Sequence, residues 1–199
     1  AGSYSRPGDS ADVRHTSAGA ASPQTELKVV DDTGLELVSG EEGRLMVRGP
    51  SLFDGYLNNP EATREAFDDN GWFSTGDTAV LSEAGHLTIT GRVKEIINRG
   101  GVKFSPVEVE TVLEGMDEIE RCAMVPYPDS VLGERACLFV VCPTGAAVTL
   151  DAITGFLAGK GIAKFKWPER LEIVDELPLT PTQKVMRGRL TAMIADKTS

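Results

Sequence analysis

Apolar and polar residues alternate along most of the first half of the chain, a spacing typical of half-buried β-strands. Residues 26–32 (ELKVVDD) and residues 43–49 (GRLMVRG) follow this pattern, and a DDTG turn signal separates them. Residues 78–91 add two more alternating runs, which SEAG divides into a predicted hairpin. Residues 26–93 are therefore predicted to be mostly β-structure.

Two segments of this half depart from the alternation. Residues 58–71 predict a short helix, because Asn59 suits the N-cap and Pro60 suits the first helical position. Residues 1–25 are rich in Ser, Ala, Gly and Pro and lack periodicity, so we expect a loop or a disordered segment there.

In the second half, strand-like and helix-like apolar patterns take turns, which predicts a compact α+β unit from about residue 95 to the end. The strands are expected at residues 95–99, 120–127, 136–143 and 169–178, and the helices at residues 105–116, 149–161 and 183–197. The first of these helices has the strongest start signal. Ser105 as N-cap, Pro106 at the first helical position and Glu108 at the third form a capping box.

The bulk composition fits a folded protein with a buried core. Hydrophobic residues make up 41% of the 199 residues, and the mean hydropathy is -0.13. That length allows one large domain or two small ones. No apolar run approaches the ~20 residues that cross a bilayer, and no leader-like segment precedes a small-residue cleavage site. We therefore expect a cytoplasmic protein without a membrane span.

The cysteines and histidines do not predict a metal site. Cys122, Cys137 and Cys142 are odd in number and include no CxxC pair, which indicates neither a disulfide framework nor a zinc site. All three lie in apolar, strand-like segments, so we expect buried free thiols. The two histidines, His15 and His86, are too few for a histidine-rich metal site.

The formal net charge of -10 argues against general binding to nucleic acid. Residues 1–93 hold 7 basic and 15 acidic residues, whereas residues 94–199 hold 13 and 15, so the second half is relatively basic. Its cationic side chains gather at Lys160, Lys164, Lys166, Arg170, Lys184, Arg187 and Arg189. They form either a solvated face or a surface for an anionic small molecule such as a nucleotide or coenzyme A.

Two charged residues of the β-rich half are candidates for binding a nucleotide. Asp77 follows an aromatic segment in GWFSTGD, where a carboxylate at a loop tip could accept hydrogen bonds from a diol such as a ribose edge. Spacing alone favours a simpler interpretation, a hairpin turn with Asp77 in solvent. Arg92 follows across one hairpin, and its planar fork suits phosphate or ribose oxygens, although taken alone it is more typical of a surface arginine.

Lys184 is the third candidate, in the segment LPLTPTQKVMRGRL. Pro178 and Pro181 predict an extended loop, which places Lys184 just before or within the first turn of the final helix. A lysine at that end does not favour the helix dipole, and local conflicts of this kind tend to mark function. A cation on a mobile element could stabilise charge on a phosphate or acyl oxygen. The alternative is a solvated lysine.

Five segments, taken together and in order, resemble the adenylate-forming superfamily, which includes acyl-CoA synthetases, firefly luciferase and the adenylation domains of peptide synthetases. They are GRLMVRGPSLFDGYLNNPEAT, GWFSTGD, GRVKEIINRGGVKFSPVEVE, VPYPDSVLGERACLFVV and LPLTPTQKVMRGRL. The segments run from about residue 43 to residue 190.

The resemblance implies a reaction and a fold. Members activate a carboxylic acid with ATP to an acyl-adenylate, release pyrophosphate and pass the acyl group to a thiol, usually that of coenzyme A. The resemblance thus implies ATP/AMP, coenzyme A and Mg²⁺ as cofactors. It does not imply any oligomeric state. Residues 1–93 would be the β-rich tail of the large N-terminal domain, in its distorted-barrel subdomain. Residues 94–199 would be the small α+β C-terminal lid domain, which rotates between the two steps.

The resemblance also assigns roles to matching positions. Asp77 would bind the ribose hydroxyls of ATP and AMP, and Arg92 would contact ribose or phosphate. Lys184 would be the catalytic lysine that assists adenylation. Lys94 would be the hinge residue, which stays solvated in both orientations of the lid.

Three further residues would act in the second orientation of the lid, in which the acyl group passes to the thiol. Gly100 and Gly101 would face the pantetheine channel, where glycines let a pantetheine arm pass close to the backbone. Lys103 would lie near the nucleotide phosphate.

Two departures from the family pattern matter. The Gly/Ser/Thr-rich phosphate loop and the YGxTE-type motif are absent and would lie upstream with most of the acyl pocket, so this chain alone is expected not to catalyse adenylation. Gln183 stands where many members have Gly before the lysine, a variant that resembles some CoA ligases for fatty or cyclic acids. Two alternatives stay open: an adenylation module that loads a carrier protein, and a non-catalytic nucleotide-binding relative.

Overall fold

A computed structural model describes residues 2–196 and divides them into two units. The first unit reaches Lys94 and the second begins at Glu95. The boundary expected from the sequence, after residue 93, lies one residue earlier. Each unit buries a hydrophobic core of its own.

The first unit is built on a four-stranded antiparallel sheet in the order β3-β4-β5-β6. Its elements are β1 (Ser3–Tyr4), α1 (Ala11–Thr16), β2 (Ala20–Ala21), β3 (Glu26–Val30), β4 (Glu42–Arg48), α2 (Pro60–Ala66), β5 (Phe73–Leu81) and β6 (Leu87–Arg92). The alternating residues Val29, Leu45, Val47, Ala79 and Leu87 form its core. The predicted strands, the hairpin and the short helix capped by Asn59 are all confirmed.

The N-terminal segment differs from its prediction. We expected loop or disorder for residues 1–25, but Ser10 caps α1 and strands β1 and β2 pair with each other. The Leu87 amide donates to the Gly19 carbonyl at 2.8 Å, and the Ala18 amide donates to the Leu87 carbonyl at 2.7 Å. The prediction was wrong because these partners lie about 70 residues away, beyond the reach of any local pattern.

The second unit is an α+β fold around a five-stranded sheet. Its elements are β7 (Ile97–Arg99), β8 (Val102–Phe104), α3 (Pro106–Leu113), β9 (Arg121–Asp129), β10 (Gly133–Val141), α4 (Leu150–Gly159), β11 (Arg170–Ile173) and α5 (Arg187–Asp196), with 3₁₀ turns at Val93–Glu95 and Lys164–Lys166. Strand β10 is central: β9 pairs with it antiparallel and β11 pairs with it parallel. The predicted α+β class is confirmed.

Two cores cover the two faces of this sheet. On one face, Ala136, Leu138 and Val140 of β10 pack with residues of α3 and α4. On the other face, Cys137 and Phe139 pack with residues of α5. All five residues of this β10 segment are buried, so their sequence reads as a continuous apolar run rather than an alternation.

The predicted capping box of the first helix in this unit is wrong. Ser105 makes no side-chain capping bond, and its buried Oγ has no hydrogen-bond partner in the described chain. Glu108 instead accepts a hydrogen bond from Lys166 Nζ at 2.8 Å, 58 residues away in the sequence. A charge-assisted bond of this kind outweighs the weaker reach of a glutamate back to the N-cap amide.

Several element boundaries differ from the prediction, and one strand was not predicted. Gly100 and Gly101, with φ of +60° and +87°, form a two-residue turn that joins β7 to the unpredicted strand β8. Strand β11 ends at Ile173, five residues before the predicted end at residue 178. The final helix starts at Arg187, not at residue 183, and the predicted extension to residue 197 lies outside the described residues.

The three cysteines are free thiols, but the predicted burial holds only for Cys137. Cys137 is fully buried, whereas Cys122 and Cys142 are half-buried. Burial raises the pKa of the Cys122 thiol to about 12, and the charges of Glu110 and Glu114 act in the same direction. The thiolate form of Cys122 is therefore scarce near neutral pH.

We expect iodoacetamide at pH 8.5 to alkylate Cys122 at least ~10²-fold more slowly in the folded chain than in the unfolded chain. The reason is that the thiolate is the nucleophile and an unperturbed cysteine is about half ionised at this pH. Timed labelling followed by peptide mass spectrometry measures the rate. The same peptide labelled in denaturant is the control, and equal rates in both states would contradict the buried environment.

Candidate functional site

Asp77 and Arg92 face each other on neighbouring strands. They are register partners in the antiparallel pair of β5 and β6. Arg92 Nε lies 3.1 Å from Asp77 Oδ1, with 59% of the arginine side chain and 26% of the aspartate side chain exposed. The structure thus brings together two of the residues singled out from the sequence, across the hairpin that was predicted to connect them.

Asp77 lies within a strand, so the predicted turn at a loop tip is wrong. Gly76 has φ of +77°, and the pairing register shifts between Thr78 and Ala79. Thr75 Oγ1 accepts from the Asp77 amide at 3.0 Å and donates to the Leu45 carbonyl at 3.2 Å. Irregularities of this kind re-aim a side chain, and they are over-represented next to active sites.

The chemistry of the Asp77–Arg92 pair suits a sugar phosphate. An ionised carboxylate only accepts hydrogen bonds, so Asp77 complements the two donors of a vicinal diol. A guanidinium only donates, and its planar fork complements phosphate oxygens. Because the Arg92 side chain is mostly exposed, it can meet a ligand without leaving Asp77.

Lys184 lies at an exposed turn between Pro178 and α5. The Thr180 amide donates to the Lys184 carbonyl at 2.8 Å, and the Lys184 amide donates to Thr180 Oγ1 at 3.1 Å. Leu179 and Val185 form an antiparallel bridge at the base of the turn. The turn is therefore hydrogen-bonded, and the argument from the helix dipole does not apply, because the helix begins three residues later.

The backbone conformation at Gln183 explains why many family members have glycine before the lysine. Its φ is +64°, in the left-handed region that glycine adopts at no steric cost. A non-glycine residue in this region costs about 1–2 kcal/mol. The departure from the family pattern thus leaves the turn formed, at some strain.

The remaining candidates lie near the start of the second unit. Lys94 is exposed in the 3₁₀ turn at which the first unit ends. Gly100, Gly101 and Lys103 are exposed and share the β7–β8 hairpin. A Cβ added to Gly101 would meet no atom within 4 Å, so open space adjoins the backbone there.

Arg187 is a residue whose environment the sequence reasoning missed. Its side chain is only 18% exposed. Nη1 and Nη2 donate to the two oxygens of Glu110 at 2.7 and 2.8 Å, Nε lies 2.9 Å from Glu95 Oε2, and Nη1 also donates to the Met124 carbonyl at 2.8 Å. Burial lowers the pKa of this guanidinium. The two glutamates raise that pKa by more than burial lowers it, so the pKa of Arg187 lies above its ordinary value.

A signal for this burial was present in the sequence. Arg187 lies three residues before Leu190 and seven before Ile194, which puts it on the apolar face of the final helix. Leu190 and Ile194 are both buried in the core. An arginine on that face needs a buried carboxylate partner.

Residues 2–196 contain neither a cluster of metal-ligating side chains nor a helix that could cross a bilayer. These residues hold no group of three or more His, Cys, Asp or Glu side chains that could hold a metal ion. Over the same range, every helix is too short or too polar to cross a bilayer.

Known families match both units. The model of the AMP-binding enzyme family matches residues 1–57, and the model of the AMP-binding enzyme C-terminal domain matches residues 108–184. Salicylyl-CoA synthase / salicylate adenylyltransferase from a Streptomyces species is 38% identical over 195 residues, which are 98% of this chain and 35% of that protein. Medium-chain fatty-acid–CoA ligase from Escherichia coli (strain K12) is 40% identical over 170 residues, which are 85% of this chain and 30% of that protein.

A solved structure supports the same relationship. ATP-bound MatB from Rhodopseudomonas palustris superposes with a TM-score of 0.85 and 33% identity, covering 92% of this chain and 37% of that one. This chain spans about a third of the length of the curated relatives it matches.

We expect Asp77→Asn and Arg92→Gln each to lower the free energy of unfolding by less than about 1 kcal/mol, because exposed ion pairs contribute little to stability. Urea denaturation of the chain measures this. Arg48→Gln, which breaks the exposed Arg48–Glu26 pair in the same sheet, is the matched control. A loss above about 2 kcal/mol at Asp77 alone would show that the pair is structural rather than held for a ligand.

Proposed function

This chain belongs to the AMP-binding family of adenylate-forming enzymes, and we propose that the protein it forms part of is an ATP-dependent acyl-CoA synthetase. The enzyme activates a carboxylic acid as an acyl-adenylate, releases pyrophosphate, and transfers the acyl group to the thiol of coenzyme A. Support comes from the two relatives, both named for CoA thioester formation. The observation that carries the proposal is the Asp77–Arg92 pair, a fixed acceptor and donor on adjacent strands.

In the adenylation step, Asp77 and Arg92 hold the nucleotide. The Asp77 carboxylate accepts hydrogen bonds from the ribose hydroxyls of ATP and then of AMP. Arg92 donates to ribose or phosphate oxygens from the neighbouring strand. Because both side chains project from paired strands, the ribose is held without ordering a loop.

Lys184 is the catalytic residue in this proposal. As a carboxylate oxygen bonds to the α-phosphorus and the bond to pyrophosphate breaks, negative charge builds on the phosphoryl oxygens. An ammonium placed beside those oxygens stabilises that charge. The exposed turn presents Lys184 without desolvating it in the absence of substrate.

Thioester formation uses a second orientation of the C-terminal unit, which rotates about Lys94. Gly100 and Gly101 then line the path of the pantetheine arm, and Lys103 approaches the nucleotide phosphate. The open space beside Gly101 supports this role, because a side chain at that position would project into the path. In this proposal residues 1–93 are the tail of the large domain and residues 94–199 are the lid, and the structural boundary lies one residue later, between Lys94 and Glu95.

The three free thiols suit a reducing compartment, and we place the protein in the cytoplasm.

A second candidate acceptor is the tethered pantetheine of a carrier protein. One observation favours it: Val131 and Val102 are 83% and 46% exposed on the β9–β10 and β7–β8 hairpins. These hairpins are joined, because the Gly100 amide donates to the Leu132 carbonyl at 2.8 Å. Exposed apolar side chains beside the pantetheine path would suit docking of a small protein.

The reaction is tested with the full-length protein, ATP, magnesium, coenzyme A and a panel of carboxylic acids. Acyl-CoA detected by mass spectrometry supports the proposal and names the acid class. Pyrophosphate release without a thioester would favour the carrier protein as acceptor. A full-length protein that yields neither product with any acid would contradict the proposal.

We expect Lys184→Ala in the full-length protein to lower the rate of acid-dependent ATP–pyrophosphate exchange by about 10²–10³-fold, because a preorganised charge on the transition state is lost. Thioester formation from supplied acyl-adenylate should stay near the wild-type rate. Arg121→Ala, which also removes a positive charge at an exposed position of the same unit, is the control. Exchange at the wild-type rate in Lys184→Ala would remove this residue from the mechanism.

We expect Asp77→Ala to weaken ATP binding about 10–100-fold, the usual effect of losing hydrogen bonds to a charged group. Isothermal titration of the full-length protein measures the dissociation constant. Arg48→Gln, on the same sheet, should bind ATP normally. Unchanged affinity in Asp77→Ala would contradict the ribose assignment.

A further inference from the structure

Arg187 joins three separate parts of the second unit through one guanidinium group. Its partners are Glu110 on helix α3, the Met124 carbonyl on strand β9, and Glu95 in the 3₁₀ turn. The first two partners are already joined to each other, because Glu110 Oε1 accepts from the Met124 amide at 2.6 Å. The Glu95 contact is therefore not needed to attach α3 to the sheet.

Glu95 lies at the boundary between the two units. It is the first residue of the second unit and directly follows Lys94. Its side chain is 30% exposed, so the pair with Arg187 has a partly solvated partner. Because Glu110 already holds the guanidinium with two hydrogen bonds, the contact fixes the direction of the Glu95 carboxylate relative to α5.

The turn that carries Lys184 leads directly into Arg187. Arg187 follows Lys184 by three residues, and the Met186 amide between them donates to the Pro178 carbonyl at 2.8 Å. Leu179 and Val185 pack against the core on the α5 face. The backbone from Pro178 to Arg187 is thus held at its base, at the bridge and at the guanidinium, with only the tip exposed.

We infer that Arg187 and Glu95 are positioning residues for adenylation, tying the turn that carries Lys184 to the residue that follows the hinge. This inference rests on the proposed function. The turn and the first residue of the unit then move as one body, which holds the Lys184 backbone in a fixed relation to Glu95. Without the Glu95 contact, residues 95 and 96 lose this tie to the turn, while Ile97 and strand β7 stay held in the core.

The test uses Glu95→Ala in the full-length protein and measures the two half-reactions separately. We expect kcat of ATP–pyrophosphate exchange to fall on the order of 10- to 100-fold, since small misplacement of a catalytic group has effects of this size. KM for ATP should stay within about twofold, because Asp77 and Arg92 still bind the nucleotide. The thioester-forming rate from supplied acyl-adenylate should stay near wild type, because that step does not use Lys184.

Three further variants separate positioning from general loosening of the fold. Glu95→Gln keeps an acceptor oxygen for Arg187 and should recover part of the lost exchange rate. Glu118→Ala, at an exposed glutamate of the same unit, should behave like wild type in both half-reactions. Arg187→Lys keeps the charge without the planar fork and should reproduce the loss in exchange.

The outcomes distinguish this inference from the proposed function. Suppose that wild type shows exchange activity, and that this activity falls in Lys184→Ala but not in Glu95→Ala or Arg187→Lys. That result would overturn the inference and leave the proposed function standing. An equal loss of both half-reactions in Glu95→Ala would also overturn it, because that pattern indicates a purely structural role. A wild-type protein without exchange activity for any acid would overturn the proposed function and the inference together.

Discussion

Burial of strand β10 on both faces is the constraint on which the second unit depends. The five residues from Ala136 to Val140 are all at most 1% exposed, and alternate side chains enter two different cores. Helices α3 and α4 cover one face and helix α5 covers the other. A strand in this position cannot shift its register by one residue without exchanging its side chains between the two cores.

The position of the Lys184 turn follows from that arrangement. Leu177, Leu179 and Val185 flank the turn and pack in the core on the α5 face, so the polar tip projects from an apolar base. Arg187 lies where the two cores meet, since its own helix packs on one face and Glu110 belongs to the helix on the other. A buried ion pair at such a border fixes geometry more than it adds stability.

In the first unit, the pairing of two antiparallel strands positions the candidate side chains. The antiparallel register of β5 and β6 places Asp77 opposite Arg92, and the positive φ of Gly76 with the adjacent shift in register sets the direction of the carboxylate. Arg92 is mostly exposed and Asp77 is half-buried, so the outer side of the pair is available to a ligand. In both units, then, a charged side chain is presented from backbone that is already hydrogen-bonded.

The sequence by itself determined the fold class, most of the strands and helices, the free thiols and the encounter of Asp77 with Arg92, because period and hairpin connectivity are local properties. Tertiary structure alone decided the order in the N-terminal segment, the loss of the Ser105 capping box and the partners of Arg187. Each of these depends on a distant partner: Leu87 for the segment, Lys166 for Glu108, and Glu110 for the arginine. Such partners meet only when the chain has folded, so no local pattern can report them.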